Sequence, residues 1–500
     1  MRNLGPAGVV VVVVGAACSQ AQPANETPST GGGSSSSLPG DPVSTSGAED
    51  SSATSSANST TLWTTTDATS SSSDGSTGGP PPVVSWSPAV LDYQFRCKLI
   101  SGAGIEDPTA NDTHHRANLR GTDLGIPLVV DDQLLLFFGD TQGYRTIWTP
   151  GEDPDSIGRV DATQAREDPG VLCDGLEFLL TADDPSVAAA SDPSILRDFA
   201  ASTMIAPPGE ALSDYIGDSP PPFPNIPGTF EVPTGALRIG EDVYTWWAGK
   251  TTFDPRPQMT LSYLARWDRP RTLPNHQIIR PFDALEGGAL GGHFLQAWPI
   301  VLQESVYVLG TGDYRFGGVS LMRFPVAEIE TGDEAAVFDP SSGTWVDTAG
   351  AEPGGLGSIP TLFEDDGVGE LGGVFLEASG VFIVMYQREL HERGGTVIDN
   401  RVVLRTAAQL EGPWSDAVTV IDMADPAFTA KHCCGADGCQ GDEILNCFVA
   451  GLYAIYPLPS PTVTIGDDGT LVVDLAFVAS TWNPYNVVLF ETQVEITPGF

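Results

Sequence analysis

Apolar residues in this chain fall in short runs of roughly five to eight, rich in Val, Leu, Phe, Tyr and Trp and broken by Gly, Pro and Asp turns. No stretch sustains a long helical period, and short helical turns are expected only near residues 194–201 and 327–330. One unit recurs along the chain: strand, tight turn, strand. It is read at 119–139, at 235–248 around Gly240-Glu241-Asp242, and at 294–310 around Gln303-Glu304-Ser305. It returns at 373–386 around Glu377-Ala378-Ser379 and at 462–477 around Gly466-Asp467-Asp468-Gly469. The later hairpins are each followed by a third strand of shared character: LSYLAR at 261–266, VSLMR at 319–323, VVLR at 402–405 and VVLF at 487–490.

Five diverged three-strand units, each with room for a fourth outer strand, predict an all-β chain folded as a five-bladed β-propeller. A two-sheet sandwich is the competing architecture. Pro127 would argue against a central strand, but the innermost strand of a blade has one edge unpaired along the channel, where proline is allowed. At one end of a propeller the loops converge on the axis, so residues from several blades meet in one pocket.

Residues 121–141, GTDLGIPLVVDDQLLLFFGDT, read as two strands joined at Asp131-Asp132. With that two-residue loop Val130 opposes Gln133, and the same register carried to the open end sets Asp123 opposite Asp140. Directly opposed residues have Cβ atoms about 4.5–5.5 Å apart, so two acids would lie side by side, as carboxylate-based glycoside chemistry uses them. Aspartate before Gly or Thr also serves turns by hydrogen-bonding loop backbone, and that reading stays open. Equivalent ends of the other hairpins supply the neighbours: Trp247, Lys250, Trp298, Tyr314, Arg315, Gln387, Arg388, Tyr456, Trp482 and Asn483. Aromatic faces and hydrogen-bonding side chains suit sugar rings, although each tryptophan serves equally as a core or inter-blade packing residue.

The chain's first residues change the picture of where it works. Arg2, an apolar run at 9–14 and Gly15-Ala16-Ala17-Cys18 follow the order of an export signal, too short to span a bilayer. Small-small-Cys resembles a bacterial lipobox, so residues 1–18 are read as a lipoprotein-type signal with Cys18 lipidated; ordinary secretion is the alternative. Residues 19–90, dominated by Ser, Thr, Gly and Pro, cannot bury enough apolar surface to offset ordering entropy and are expected to be a disordered stalk. Residues 91–500 form the expected propeller. Six further cysteines, Cys97, Cys173, Cys433, Cys434, Cys439 and Cys447, suit up to three disulfides in an oxidising compartment. The cluster around His432 lacks paired C-x-x-C spacing, so no metal site is expected.

Net charge is −42, from 23 basic and 65 acidic residues. Such a chain repels phosphate backbones and anionic lipid, which excludes nucleic acid as a partner and leaves a lipid anchor as the only membrane contact. No cofactor is expected, and the assembly is read as a monomer.

The motifs GTDLG…LLLFFGDT, VYVLGTGDYRFGGVSLMR (306–323), EGPWS (411–415) after Arg405-Thr406-Ala407, and WNPYNVVL (482–489) together resemble the bacterial "domain of unknown function 4185" family. That resemblance implies a five-bladed propeller and overlap with glycoside hydrolase family 183, whose characterised members are endo-D-arabinanases. It marks Asp123 and Asp140 as the catalytic carboxylates; of the hairpin-end residues, Trp247, Trp298, Arg315, Tyr456, Trp482 and Asn483 are the candidates to bind sugar. The expected function is hydrolysis of an arabinan-like furanoside polysaccharide at the cell envelope. The alternative is a non-catalytic carbohydrate-binding surface lipoprotein. His114-His115 and His293 are further acid–base candidates, with a solvent-facing loop favoured for the first pair.

Overall fold

The computed structural model describes residues 85–100, 111–113, 119–143, 155–178, 229–252, 258–267, 276–285, 288–312, 315, 317–352, 354–363, 367–391, 397–435, 439–447 and 450–499. Cys18, the stalk as far as residue 84, His114-His115 and Tyr314 lie outside these residues, as does the side chain of Lys250. Strand β1 (Ser85–Lys98) opens the fold, six residues before the propeller was expected to begin.

The strands that follow form four sheets in chain order. The first blade holds β2 (Leu119–Val130), β3 (Gln133–Gly143), β4 (Ser156–Asp161) and β5 (Glu177–Phe178). The second holds β6 (Thr229–Ile239), β7 (Asp242–Thr252), β8 (Gln258–Trp267) and β9 (His276–Ala284). The third runs through β10 (Gln296–Leu302), β11 (Ser305–Thr311), β12 (Val319–Pro325), β13 (Ala336–Asp339) and β14 (Thr344–Asp347). The fourth comprises β15 (Val368–Leu376), β16 (Val381–His391), β17 (Val397–Ala407) and β18 (Val418–Asp422). The fifth combines β19 (Tyr453–Pro457), β20 (Thr462–Ile465), β21 (Leu471–Thr481) and β22 (Asn486–Gly499) with β1, which pairs along β22 as its outermost strand. Early and late parts of the chain thus close one sheet. All these pairings are antiparallel, and the innermost strands β2, β6, β10, β15 and β19 touch one another in a closed ring. The chain is a five-bladed β-propeller.

Proline marks the hub. Pro127, Pro233, Pro299 and Pro457 sit in four of the five innermost strands, whose inner edges have no ladder partner to be deprived of an N–H. The inner strands also approach closely. A Cβ at Gly235 would lie 2.2 Å from the Ala297 carbonyl oxygen, and one at Gly372 would lie 3.0 Å from Tyr456 Cα. The fifth hairpin departs from expectation. Residues 462–477 do pair as β20 and β21, yet the innermost strand is β19, which pairs with the far end of β21. The two short strands share one edge of β21, interrupted between Pro457 and Pro461.

Three disulfides form: Cys97–Cys173, Cys433–Cys447 and Cys434–Cys439. The first ties β1 to a short helix, Leu172–Gly175, behind the first blade. His432 packs among Phe95, Phe428 and Phe490 with its Nδ1 3.0 Å from the Asp442 carbonyl, so it is a core residue. The EGPWS turn is structural too. Ser415 accepts from the Thr406 N–H at 3.0 Å and its carbonyl takes Arg405 Nη1, while the Arg405 guanidinium lies 4.7 Å over the Phe363 ring.

Candidate active site in the propeller hub

The inner strands deliver their first residues, and the second strands their last, to one end of the hub. Asp123 is the centre of what gathers there. The hairpin register runs as expected from Val130↔Gln133 to Ile126↔Phe137, then shifts at Leu124 and Gly125, whose φ angles are +64° and +98°. Asp123 consequently opposes Gly139, not Asp140. The expected side-by-side aspartates are therefore a correction: one left-handed pair at Leu124-Gly125 inserts a bulge, and a bulge re-aims the side chains beyond it.

The bulge is held from the next blade. The Leu124 N–H it frees donates to Ser480 Oγ of β21 at 2.7 Å, and Thr122 Oγ1 donates to the Gly139 carbonyl at 2.6 Å. Asp123 is buried, and Tyr453 of β19 donates its hydroxyl to Asp123 Oδ2 at 3.0 Å. The Tyr485 hydroxyl lies beside the same carboxyl. Burial pushes the Asp123 pKa up to about 7, against the pull of the two tyrosine hydroxyls; the charge of Glu370 adds to the rise and that of Arg315 opposes it. The acid is thus poised near neutrality.

Asp140 is half-buried on β3, and its charge, like that of Asp123, acts on Tyr485. Both aspartates therefore bear on one phenol, without forming an opposed pair.

The rest of the hub comes from blades three to five. Arg315, with φ +57°, lays its guanidinium 4.7 Å over the Tyr453 ring. It stands 3.8 Å from Glu370 Oε2 and 3.8 Å from Glu389 Oε2. Gln387 donates to Glu389 Oε2 at 2.8 Å. Tyr456 is buried beside β15, and the charges of Glu370 and Asp123 oppose its ionisation.

Of the expected sugar-binding residues, Arg315 and Tyr456 join Asp123 in the hub, as does Gln387. Trp482 is 40% exposed on the turn between β21 and β22, edge-to-face with Tyr485 at 5.5 Å between ring centroids. Asn483 is exposed on that turn, and its carbonyl accepts from the Asn446 N–H at 2.6 Å. Two tryptophans are corrections. Trp247 is 1% exposed and donates Nε1 to Thr245 Oγ1 at 2.8 Å, so it packs between strands. Trp298 lies against Gly373, where a Cβ would meet its ring at 2.9 Å; it fills the contact between blades three and four. His293 bridges Ser320 Oγ and the Gly357 carbonyl.

Sequence reasoning missed Tyr453, Tyr485, Glu370 and Glu389. One signal was present. Asp123-Leu124-Gly125 stands in the first half of β2, and Glu370-Leu371-Gly372 near the start of β15; each acid lies at a register shift of its innermost strand. The same acid-Leu-Gly triplet thus recurs at equivalent places in blades one and four.

A surface cleft of about 430 Å³, between residues 165–169 and the outer strands of blade five, lies apart from this chemistry. Among the described residues no cluster of His, Cys, Asp and Glu is arranged to hold a metal, and no helix is long and apolar enough to cross a membrane.

Among solved structures, the chain is similar to a Bacteroides ovatus protein at 15% identity, covering 76% of this chain and 87% of that one, with a TM-score of 0.44. It is similar to an exo-β-1,3-galactanase from Phanerochaete chrysosporium at 10% identity, covering 80% and 63%, with a TM-score of 0.38. It is also similar to an α-L-arabinanase from Cellvibrio cellulosa at 10% identity, covering 74% and 91%, with a TM-score of 0.34. No curated protein matches the chain in sequence. Residues 108–491, which run from ahead of β2 into β22, match one family, and the chain belongs to it: the domain of unknown function DUF4185.

Proposed function

We propose that the hub is a glycan-hydrolysing pocket in which Asp123 is the general acid and Asp140 the second carboxylate. The observation that carries this reading is a buried carboxyl held protonated up to about pH 7, within reach of charged neighbours. General acid catalysis needs a group that keeps its proton at working pH and can release it to a leaving oxygen. Asp123 would protonate the glycosidic oxygen as the bond breaks through an oxocarbenium-like state. The half-exposed Asp140 carboxylate would then stabilise that state or activate water. Trp482 offers an exposed ring face beside the pocket for a sugar ring.

Arabinan-like furanoside polysaccharide is the first substrate class to test, following the resemblance of the motifs. Release of reducing ends by the full-length protein, and its loss in Asp123→Asn with oligosaccharide binding retained, tests the reading. The displaced register of Asp123 and Asp140 favours a second one, in which the pocket binds glycan without cutting it. That reading predicts no reducing-end release by the wild type from any furanoside or pyranoside polysaccharide.

The leader-like residues 1–18 support an exported protein anchored by lipid at Cys18, working at the cell envelope. Metabolic labelling with palmitate, lost in Cys18→Ala, tests the anchor.

A further inference from the structure

Three buried oxygens on one side of the hub have no hydrogen-bond partner among the described residues: Glu370 Oε2, Gln387 Oε1 and the Tyr456 hydroxyl; the Asp123 carboxyl and the Tyr485 hydroxyl, across from them, meet each other. They belong together. Tyr456 and Asp123 both feel the Glu370 charge. A Cβ at Gly369, next to Glu370, would lie 3.1 Å from Gln387 Oε1. Glu370, Gln387 and Tyr456 are 3%, 1% and 2% exposed, so bulk water does not compensate them. Leaving such groups unmet is costly, and a cluster of them in one place calls for something that satisfies them together.

The chemistry of the cluster describes that ligand. Two of the unmet atoms are acceptors, one of them a carboxylate oxygen, so the ligand must donate more than one hydrogen bond. The third is a phenol, which can donate in turn, so it must also accept. Arg315 already faces Glu370 and Glu389 and lies over the Tyr453 ring, so its charge is shared between two carboxylates before any anion arrives. A carboxylated or phosphorylated sugar would bring negative charge against Glu370 and Glu389 at low dielectric, in a chain of net charge −42. A bare cation would meet Arg315 and the Tyr456 hydroxyl. An uncharged ring of hydroxyls, each both donor and acceptor, fits every group.

We propose that Glu370, with Gln387 and Tyr456, is a substrate-contacting, specificity-determining residue that grips the hydroxyls of a neutral sugar and rejects acidic ones. This rests on the reading of the hub as a sugar pocket and names the side of it opposite Asp123. Glu370 sits at the bulge of β15 as Asp123 sits at that of β2, so the two acids enter the hub by the same backbone device from different blades.

Isothermal titration of the full-length protein with arabinohexaose, β-1,3-galactotriose and hexagalacturonate tests the proposal. Wild type is expected to bind at least one neutral oligosaccharide and not hexagalacturonate. Glu370→Gln should weaken neutral binding about tenfold and Tyr456→Phe about fivefold, with melting temperatures close to wild type. Wild type that binds no neutral sugar, prefers hexagalacturonate, or needs added calcium to bind would overturn it. So would unchanged affinity in both variants. Binding that depends on Glu370 without any reducing-end release sinks only the hydrolase reading; release from neutral polysaccharide with the same KM in Glu370→Gln sinks only this one.

Discussion

Tyr453 Oη stands 3.0 Å from Asp123 Oδ2, joining the innermost strands of the fifth and first blades across the hub. The phenol donates to the charged form of the acid and so holds its pKa down against burial. Removing the donor in Tyr453→Phe must raise the pKa further above about 7. A hydrogen bond to a charged group contributes about 1.5–3 kcal/mol, and 1.36 kcal/mol is one pKa unit, so the shift expected is about one to two units. Where protonated Asp123 limits the rate, activity falls as pH rises through its pKa. The basic limb of kcat/KM against pH should therefore move upward in Tyr453→Phe; a limb that stays in place or moves to lower pH contradicts the assignment.

Asp123→Asn should cost about two to four orders of magnitude in reducing-end release, the usual contribution of a positioned general acid. Its effect on stability has the opposite sign at high pH. The native acid keeps its proton to about pH 7, whereas the unfolded chain releases it near 3.8, so wild-type stability declines as pH rises across that window, by up to about 1.4 kcal/mol per pH unit. The asparagine variant lacks this decline. Urea midpoints at pH 5 and pH 8 should show wild type losing stability relative to the variant, and parallel losses would refute the buried protonated state.

Gly139 faces Asp123 across the hairpin, and a Cβ there would lie 2.8 Å from both Asp123 Oδ1 and Leu124 Cδ1. Gly139→Ala should displace the acid, lowering stability by about 1–3 kcal/mol and activity by more than the loss of folded protein explains. Activity per folded molecule, with the folded fraction from circular dichroism, is the measurement.

Two tryptophans separate pocket from packing. Trp482→Ala should raise KM about tenfold with little change in melting temperature, because the ring is exposed beside the pocket. Trp247→Ala should destabilise the fold by about 3–5 kcal/mol, as deletion of a fully buried indole does. Equal thermal effects in the two variants would show that Trp482 is a structural residue.

The Cys97–Cys173 bridge spans 76 residues and fastens β1 to the first blade. In the loop-entropy account a closure of that length restricts the unfolded chain by about 4 kcal/mol. Cys97→Ser with Cys173→Ser should lower the unfolding free energy by a similar amount, read from chemical denaturation under non-reducing conditions; an unchanged midpoint would mean the closing strand needs no staple.

Strand period, turn residues and the repeated hairpin were legible in the sequence because each is a local property: alternation, Gly/Asp turns and unpaired inner-strand prolines follow from neighbours along the chain. So was the place of Asp123 in the first half of the innermost strand of the first blade. The partners of that acid were settled only by the ring. A register read from a turn assumes an unbroken ladder, and the bulge at Leu124-Gly125 depends on Ser480, 356 residues away, accepting the N–H it releases. Tyr453, Tyr485 and Glu370 reach Asp123 because closure of five sheets brings strand ends together that the chain holds hundreds of residues apart, and no local pattern encodes a distance of that kind.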